Sequence, residues 1–282
     1  MDDQRHIDTG RIGRLKVGFL PLDDGWICSY KDVAGVDNMR GPILSVMEFG
    51  ADRGVERYVP LKSSSELMAL WSRFIWHHHD LCLFHQAIYK QIDARNTYLH
   101  QFVADNKEIL SATLPDGLNM IAQARMRDTV HVLDMEKESI RIFGDQLLMI
   151  GLWAMVEQYC GRTLSEMERC LRRGHVQKET PHRWSSLADR FIGLGVDLVR
   201  CKSYVAVDEC RVLNNKIKHV GRVDKQLAQF SRFENQLGKN FDTVALDLQY
   251  YSDSVMEFVT CVMERSDDVL FESGQGLEEQ LD

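Results

Sequence analysis

From Ser63 to Thr113 the chain contains neither glycine nor proline. Nothing else in the sequence narrows the fold as far. Proline removes a backbone donor and glycine loosens the chain, so a long stretch without either permits an uninterrupted helix. "SSSE" at 63–66 reads as the start, with Ser63 as N-cap and Glu66 at the capping-box position. "LPDG" at 114–117 ends the stretch, because proline presets one turn dihedral and glycine accepts the reversal. A very long helix or a helical hairpin is expected between them, within a long helical segment over residues 63–138. Only 5 prolines in 282 residues extend the helical reading to most of the chain.

Further helices are expected over about 119–159 with a break near Gly144, then at 163–173, 184–200, 204–220 and 244–265. Strand-like runs are confined to residues 13–60. "LKVGFLPL", "GWICSY", "PILSVMEFG" and "ERYVPL" are short, rich in β-branched and aromatic residues, and separated by turn residues. The expected fold is therefore mainly α, preceded by a small antiparallel β element in residues 1–62. The last stretch, "ESGQGLEEQLD", reads as part of an acidic tail over 269–282.

Hydrophobic residues at 44% and charged residues at 27% exclude a disordered composition. The most apolar run, "LLMIGLWAMV" at 147–156, falls short of the roughly 20 residues of a spanning helix and reads as core. The opening "MDDQRHIDTGRIGRLK" has no apolar h-region behind it, so a cytoplasmic protein without a membrane partner is expected. Seven cysteines, at 28, 82, 160, 170, 201, 210 and 261, are odd in number and contain no C-x-x-C. That pattern suits buried reduced thiols rather than a disulfide framework or a zinc site.

The net charge of −8 is unevenly spread. Residues 161–225 hold 14 Lys plus Arg against 8 Asp plus Glu, and the remainder holds 20 against 34. Within the basic stretch lies "RVLNNKIKHVGR" at 211–222. At about 100° per residue from Arg211, Val212, Leu213, Ile217 and Val220 share an inward arc. Arg211, Asn214, Asn215 and Lys218 cluster opposite, with His219 beside them. Cations for phosphate charge, amides for orientation and an imidazole for proton transfer make phosphodiester chemistry possible there. Lys216 and Arg222 would add nucleic-acid contacts. A plain solvated face has the same composition.

"FGDQLLMIGLWAMVEQY" at 143–159, then "RVLNNKIKHVGR", then "FDTVALDLQYYSDSVMEFV" at 241–259, resemble in their order the HEPN superfamily of all-helical domains. The resemblance covers residues 140–265 and implies a HEPN-like helical bundle over 139–268. It also implies RNA as partner, a homodimer, and a metal-independent endoribonuclease of toxin-antitoxin or defence type without a cofactor, with an antitoxin or other protein partner. In that family the motif is Arg, usually followed by Asn, with His four to six residues after the Arg. Here Asn215 and His219 match, while Asn214 stands where Arg is expected and Arg211 lies one turn earlier. The catalytic set so implied is His219, Asn215, Lys218, Arg211 and Asn214. A non-catalytic helical dimerisation or docking module with the same fold is the alternative.

Two other clusters compete. "RNTYLH" at 95–100 fits Arg-Asn-x-x-x-His literally, but Ile88, Ile92, Leu99 and Phe102 surround Arg95 on the wheel, which would call for a buried partner. "WHHHDLCLFH" at 76–85 offers His78, Asp80, Cys82 and His85, yet has no H-x-x-x-H or H-E-x-x-H spacing. A polar helix surface or buried polar seam is the expectation there, with no metal. P-loop, dinucleotide-binding and nucleophile-elbow motifs are absent from the sequence.

Overall fold

The computed structural model describes residues 63–111, 117–171 and 183–278, together with Ile43, Leu61, Glu179 and Pro181. The expected β element lies outside the described residues apart from Ile43 and Leu61. The described chain is mainly α and contains no strand. Its helices are α1 Ser65–Asp105, α2 Lys107–Ser111, α3 Gly117–Leu171, α4 Trp184–Gly193, α5 Tyr204–His219 and α6 Leu248–Glu278. Short 3₁₀ turns at Leu198–Arg200, Leu227–Gln229 and Ser231–Phe233 shape the connections.

The expected N-cap shifts by one residue. Ser64, not Ser63, caps α1, accepting from Leu67 N at 3.2 Å while donating to Glu166 Oε1 at 2.6 Å. Ser63 binds Asp267 of α6 instead, through its backbone N–H and its hydroxyl, both at 2.8 Å. Three adjacent serines can each cap, and partners on other helices choose among them.

α3 runs without a break through Gly144 and through the position of the separate helix expected at 163–173. A Cβ at Gly144 would stand 3.0 Å from Ile88 Cγ2, and one at Gly151 would stand 2.9 Å from Leu81 Cδ1. Both glycines therefore mark close approach of α1 rather than a helix end. α4 stops at Gly193, short of the expected 200, and the chain reverses through Gly195 at φ +92°. α6 starts at Leu248 and carries most of the expected tail as helix, because Leu270 and Asp267 are buried against the bundle.

α3 touches α1, α4, α5 and α6 and is the spine of the bundle. Its apolar run supplies Leu148, Met149, Leu152, Trp153 and Val156 to one core, which also takes Leu67, Leu70 and Phe74 from α1. That core continues through Val212 and Leu213 of α5 and Val255, Phe258 and Val262 of α6. The boundary expected near 138 falls inside α3. By length and composition alone α3 could cross a membrane; in this fold its apolar run is core.

At 1.5 Å per residue α1 spans roughly 60 Å and α3 roughly 80 Å, far beyond the width of the core. From residue 93 to residue 143 no described side chain is buried. The two helices there form a two-stranded arm. On the α1 side the half-covered positions recur at Asn96, Leu99, Val103, Asn106 and Leu110, and on α3 at Gln123, Met126, Val130, Leu133, Lys137 and Ile140. Alternating steps of three and four are the seam of a coiled coil. Arg95 pairs with Glu136 at 2.8 Å, and Gln123 Nε2 donates to the Ile109 carbonyl at 3.0 Å, so the strands are antiparallel.

Where the arm joins the bundle, a buried polar seam replaces apolar contacts. His85 Nε2 lies 3.0 Å from Asp145 Oδ1, Tyr89 donates to the same oxygen at 3.1 Å, and Arg141 reaches Asp145 Oδ2 at 3.0 Å and also pairs with Glu138. Burial, and then the Asp145 charge, hold the Tyr89 phenol well above its usual range. Two turns deeper, His78 Nε2 sits 2.9 Å from Ser252 Oγ of α6, with Cys82 at 3.8 Å from that hydroxyl. His78 and His85 are thus hydrogen-bonded seam residues, and no metal-holding cluster exists among the described residues. The described cysteines are free thiols, and burial pushes Cys160 and Cys210 far up.

Candidate nucleic-acid interface

α5 is wedged against both α3 and α6, and this explains its wide buried arc. Ala206, Val207, Glu209, Cys210, Val212, Leu213 and Asn214 are all buried, an arc of roughly 220° on the wheel. Asn214 is 1% exposed, which corrects its expected place on the cationic face. Its Nδ2 reaches Asn215 Oδ1 at a long 3.4 Å, and its Oδ1 has no hydrogen-bond partner. Val220, expected inward, is exposed, because α5 ends at His219 and the wheel no longer applies.

The other side chains of the expected set divide into two groups. Arg211 Nε donates to Asp208 Oδ1 at 2.8 Å, and Lys216 pairs with Asp224 at 2.8 Å. The Lys216 hydrogen bond holds the Asp224 carboxyl below its usual range. Both cations are therefore neutralised within the chain. Asn215, Lys218, His219 and Arg222 are exposed. Lys218, His219 and Arg222 have no carboxylate partner among the described residues.

The chain after α5 folds back on the helix end. Val220 and Gly221 both donate to the Lys216 carbonyl at 2.9 Å, and Gly221 takes φ +71°, the left-handed turn that closes a helix. Val223 donates to the Lys239 carbonyl at 2.9 Å, Gly238 donates to the Val223 carbonyl at 2.8 Å, and Arg222 forms an antiparallel bridge with Asn240. This reversal sets exposed Lys239 beside Arg222, with exposed Lys225 on the same loop. The sequence reading missed Lys239, since only the two left-handed glycines, 221 and 238, hint at the reversal.

Cations in the last turn of a helix stabilise it against its own dipole by about 0.3–1 kcal/mol each. That accounts for Lys216, Lys218 and His219 without any ligand. It does not account for Arg222, Lys225 and Lys239, which lie past the helix end. Deeper down, Tyr251 donates to Glu209 at 2.6 Å, and burial raises the Glu209 carboxyl while that hydrogen bond lowers it. Arg232 stacks on Tyr250 at 3.4 Å and pairs with Asp247 at 2.7 Å, fixing the return loop to α6.

The competing triad is not assembled as a site. Arg95 is exposed and pairs with Glu136, which corrects its expected burial in an apolar stripe: the stripe turns toward α3 and leaves Arg95 on its flank. Asn96 lies in the arm seam and His100 is exposed. A hollow of about 260 Å³ between α1 and α3, lined by Arg73, Arg162, Ser165, Glu66 and Glu166, balances its cations with carboxylates. No family model, curated protein or solved structure matches the chain.

Proposed function

We propose that the chain is a HEPN-like helical protein that binds RNA through the exposed end of α5 and the loop folded against it. One observation carries this reading: Lys218, His219, Arg222, Lys225 and Lys239 stand in solvent around one helix end with no internal carboxylate partner among the described residues. An acidic protein that leaves such a group unneutralised has a local attraction for a polyanion. Asn215 beside them supplies an amide for phosphate or ribose. Arg211 and Lys216 support the helix through their ion pairs, and Asn214 supports it by packing.

Cleavage on this face has one proton-transfer group, His219. In the proposed step His219 takes the proton of the ribose 2′-hydroxyl as that oxygen attacks the adjacent phosphorus, and passes it to the 5′-oxygen as the P–O5′ bond breaks, giving a 2′,3′-cyclic phosphate and a 5′-hydroxyl. Lys218 and Arg222 would stabilise the added negative charge. A second reading, a docking module without catalysis, is favoured by the internal neutralisation of Arg211 and the burial of Asn214.

The test is fluorescence anisotropy with single-stranded RNA over a range of salt. Replacing Lys218, Arg222 and Lys239 together by alanine should weaken binding and flatten the log–log salt slope by about 0.7 for each phosphate that the variant no longer neutralises. In EDTA, His219→Ala should slow cleavage by roughly 10²- to 10⁴-fold with little change in affinity. No binding by the parent protein would remove the RNA reading. Binding without cleavage would leave a non-catalytic RNA-binding protein.

A further inference from the structure

Where α5 begins, the chain lies along α6 and brings two thiols together. Glu257, Cys261 and Arg265 follow one another at intervals of four on α6 and so share one face of that helix. Glu257 and Arg265 are exposed, yet Cys261 between them is only 7% exposed. Its cover is the connection from the 3₁₀ turn Leu198–Arg200 into α5. Arg265 Nη2 donates to the Arg200 carbonyl at 3.0 Å, and Ser203 Oγ donates to Glu257 Oε2 at 2.7 Å. Between those two anchors Cys201, itself 5% exposed, rests on Cys261, and the two thiols hydrogen-bond. The Arg265 guanidinium also donates to the Cys261 sulfur.

We propose that Cys201 and Cys261 are an oxidisable pair, which hydrogen peroxide converts to a disulfide between α6 and the connection into α5. The order of events follows from the surroundings. Cys261 has the guanidinium beside it, and a hydrogen bond to a sulfur that carries charge is stronger than one to a neutral thiol. Burial, and then the Cys261 charge, push the Cys201 thiol up to about 12, so Cys201 reacts second. In the first step Cys261 gives up its proton and its sulfur attacks one peroxide oxygen. The O–O bond breaks, the second oxygen leaves as water with that proton, and Cys261 becomes a sulfenic acid. The Cys201 sulfur then attacks the Cys261 sulfur, the S–O bond breaks, and the hydroxyl leaves as a second water with the Cys201 proton. Both sulfurs are oxidised, and both peroxide oxygens are reduced to water.

The surroundings favour this pair over the other described thiols. Cys201 stands outside any helix, in the connection 201–203, so it can close on Cys261 to the ~2.05 Å of a disulfide by giving up its 3.8 Å contact with the Asp197 carbonyl. Cys160 acts on Cys201 through its charge alone, and like Cys210 it is 0% exposed, out of reach of an oxidant in solution. The cover over Cys261 is one residue thick, with exposed Arg200, Lys202 and Arg265 around it, so a small oxidant has the shortest way in here. The pair lies at the opposite end of α5 from His219, and the inference does not depend on RNA binding.

The test is peptide mapping of the full chain, first reduced and freed of reductant, then treated with a few equivalents of hydrogen peroxide and alkylated in denaturant. The product should carry a peptide pair linked through Cys201 and Cys261, lighter by two hydrogens than the separate peptides, and dithiothreitol should part them again. Cys160 and Cys210 should be recovered as alkylated thiols. Cys201→Ala should leave a sulfenic acid on Cys261 that dimedone captures, whereas Cys261→Ala should leave Cys201 reduced. The mapping uses the unaltered chain, so it decides the matter even where a substitution disturbs folding. A parent in which both thiols stay reduced overturns the proposal. So does a link from Cys201 to Cys160, or dimedone labelling Cys201 in Cys261→Ala as readily as Cys261 in Cys201→Ala.

Discussion

Asn214 packs a polar amide into a position that hydrocarbon would fill without leaving a hydrogen-bonding group unmatched. A buried acceptor without a partner costs about 1–3 kcal/mol, and its Oδ1 has none. Asn214→Leu is therefore expected to hold or raise the free energy of unfolding, by up to about 1.5 kcal/mol, in urea titrations. Asn214→Arg would instead drive a guanidinium into a site 1% exposed and should cost several kcal/mol. A helix wheel centred on Arg211 puts Asn214 with the cations because the sequence does not show that two helices grip α5 from different sides. Glu166 gives a pH signature. The Arg169 hydrogen bonds, aided by that from Ser64, bring its carboxyl down to about 2. A carboxyl lower in the folded chain than in the unfolded one contributes stability above the ordinary carboxylate range and loses it as pH falls toward 2. With Arg169 largely in solvent, the contribution is about 2 kcal/mol or less. Urea titrations at pH 6 and pH 3 should show a larger loss for the parent than for Glu166→Gln.

The arm and the bundle are built from the same two helices but held by different contacts. In the bundle, α1 and α3 share a core with α5 and α6; between residues 93 and 143 they pack, among the described residues, on each other and on α2. Backbone amides of 93–111 and 117–143 are expected to exchange with deuterium well before those of 148–160, which open only with the core. Mass-spectrometric exchange would resolve the two zones. The α1 helix is legible because the absence of glycine and proline is a local property of the chain. The continuity of α3 is not. Gly144 reads as a break until Ile88 is seen lying 3.0 Å from the missing Cβ. The end of α5 is half legible: Lys218, His219 and Arg222 are neighbours in sequence, whereas Lys239 arrives through backbone pairing with Val223. The buried histidines follow the same rule. His78 and His85 fall on the α1 seam by spacing, but their partners Ser252 and Asp145 belong to distant segments.

Across the molecule, the cationic end of α5 and the two-helix arm are connected through one rigid helix, α3, which packs against both α5 and α1. The uninterrupted run from Gly117 to Leu171 also makes the molecule sensitive to rotational phase. One residue inserted near Ser139 would turn the arm part of α3 by about 100° relative to its bundle part, and so out of phase with α1, although each half kept its own sequence. Seven inserted residues would nearly restore the angle while sliding the arm part of α3 about 10 Å along α1. The chain therefore tolerates changes of length in this helix only in near-multiples of a full heptad, as a screw thread accepts displacement only along its pitch.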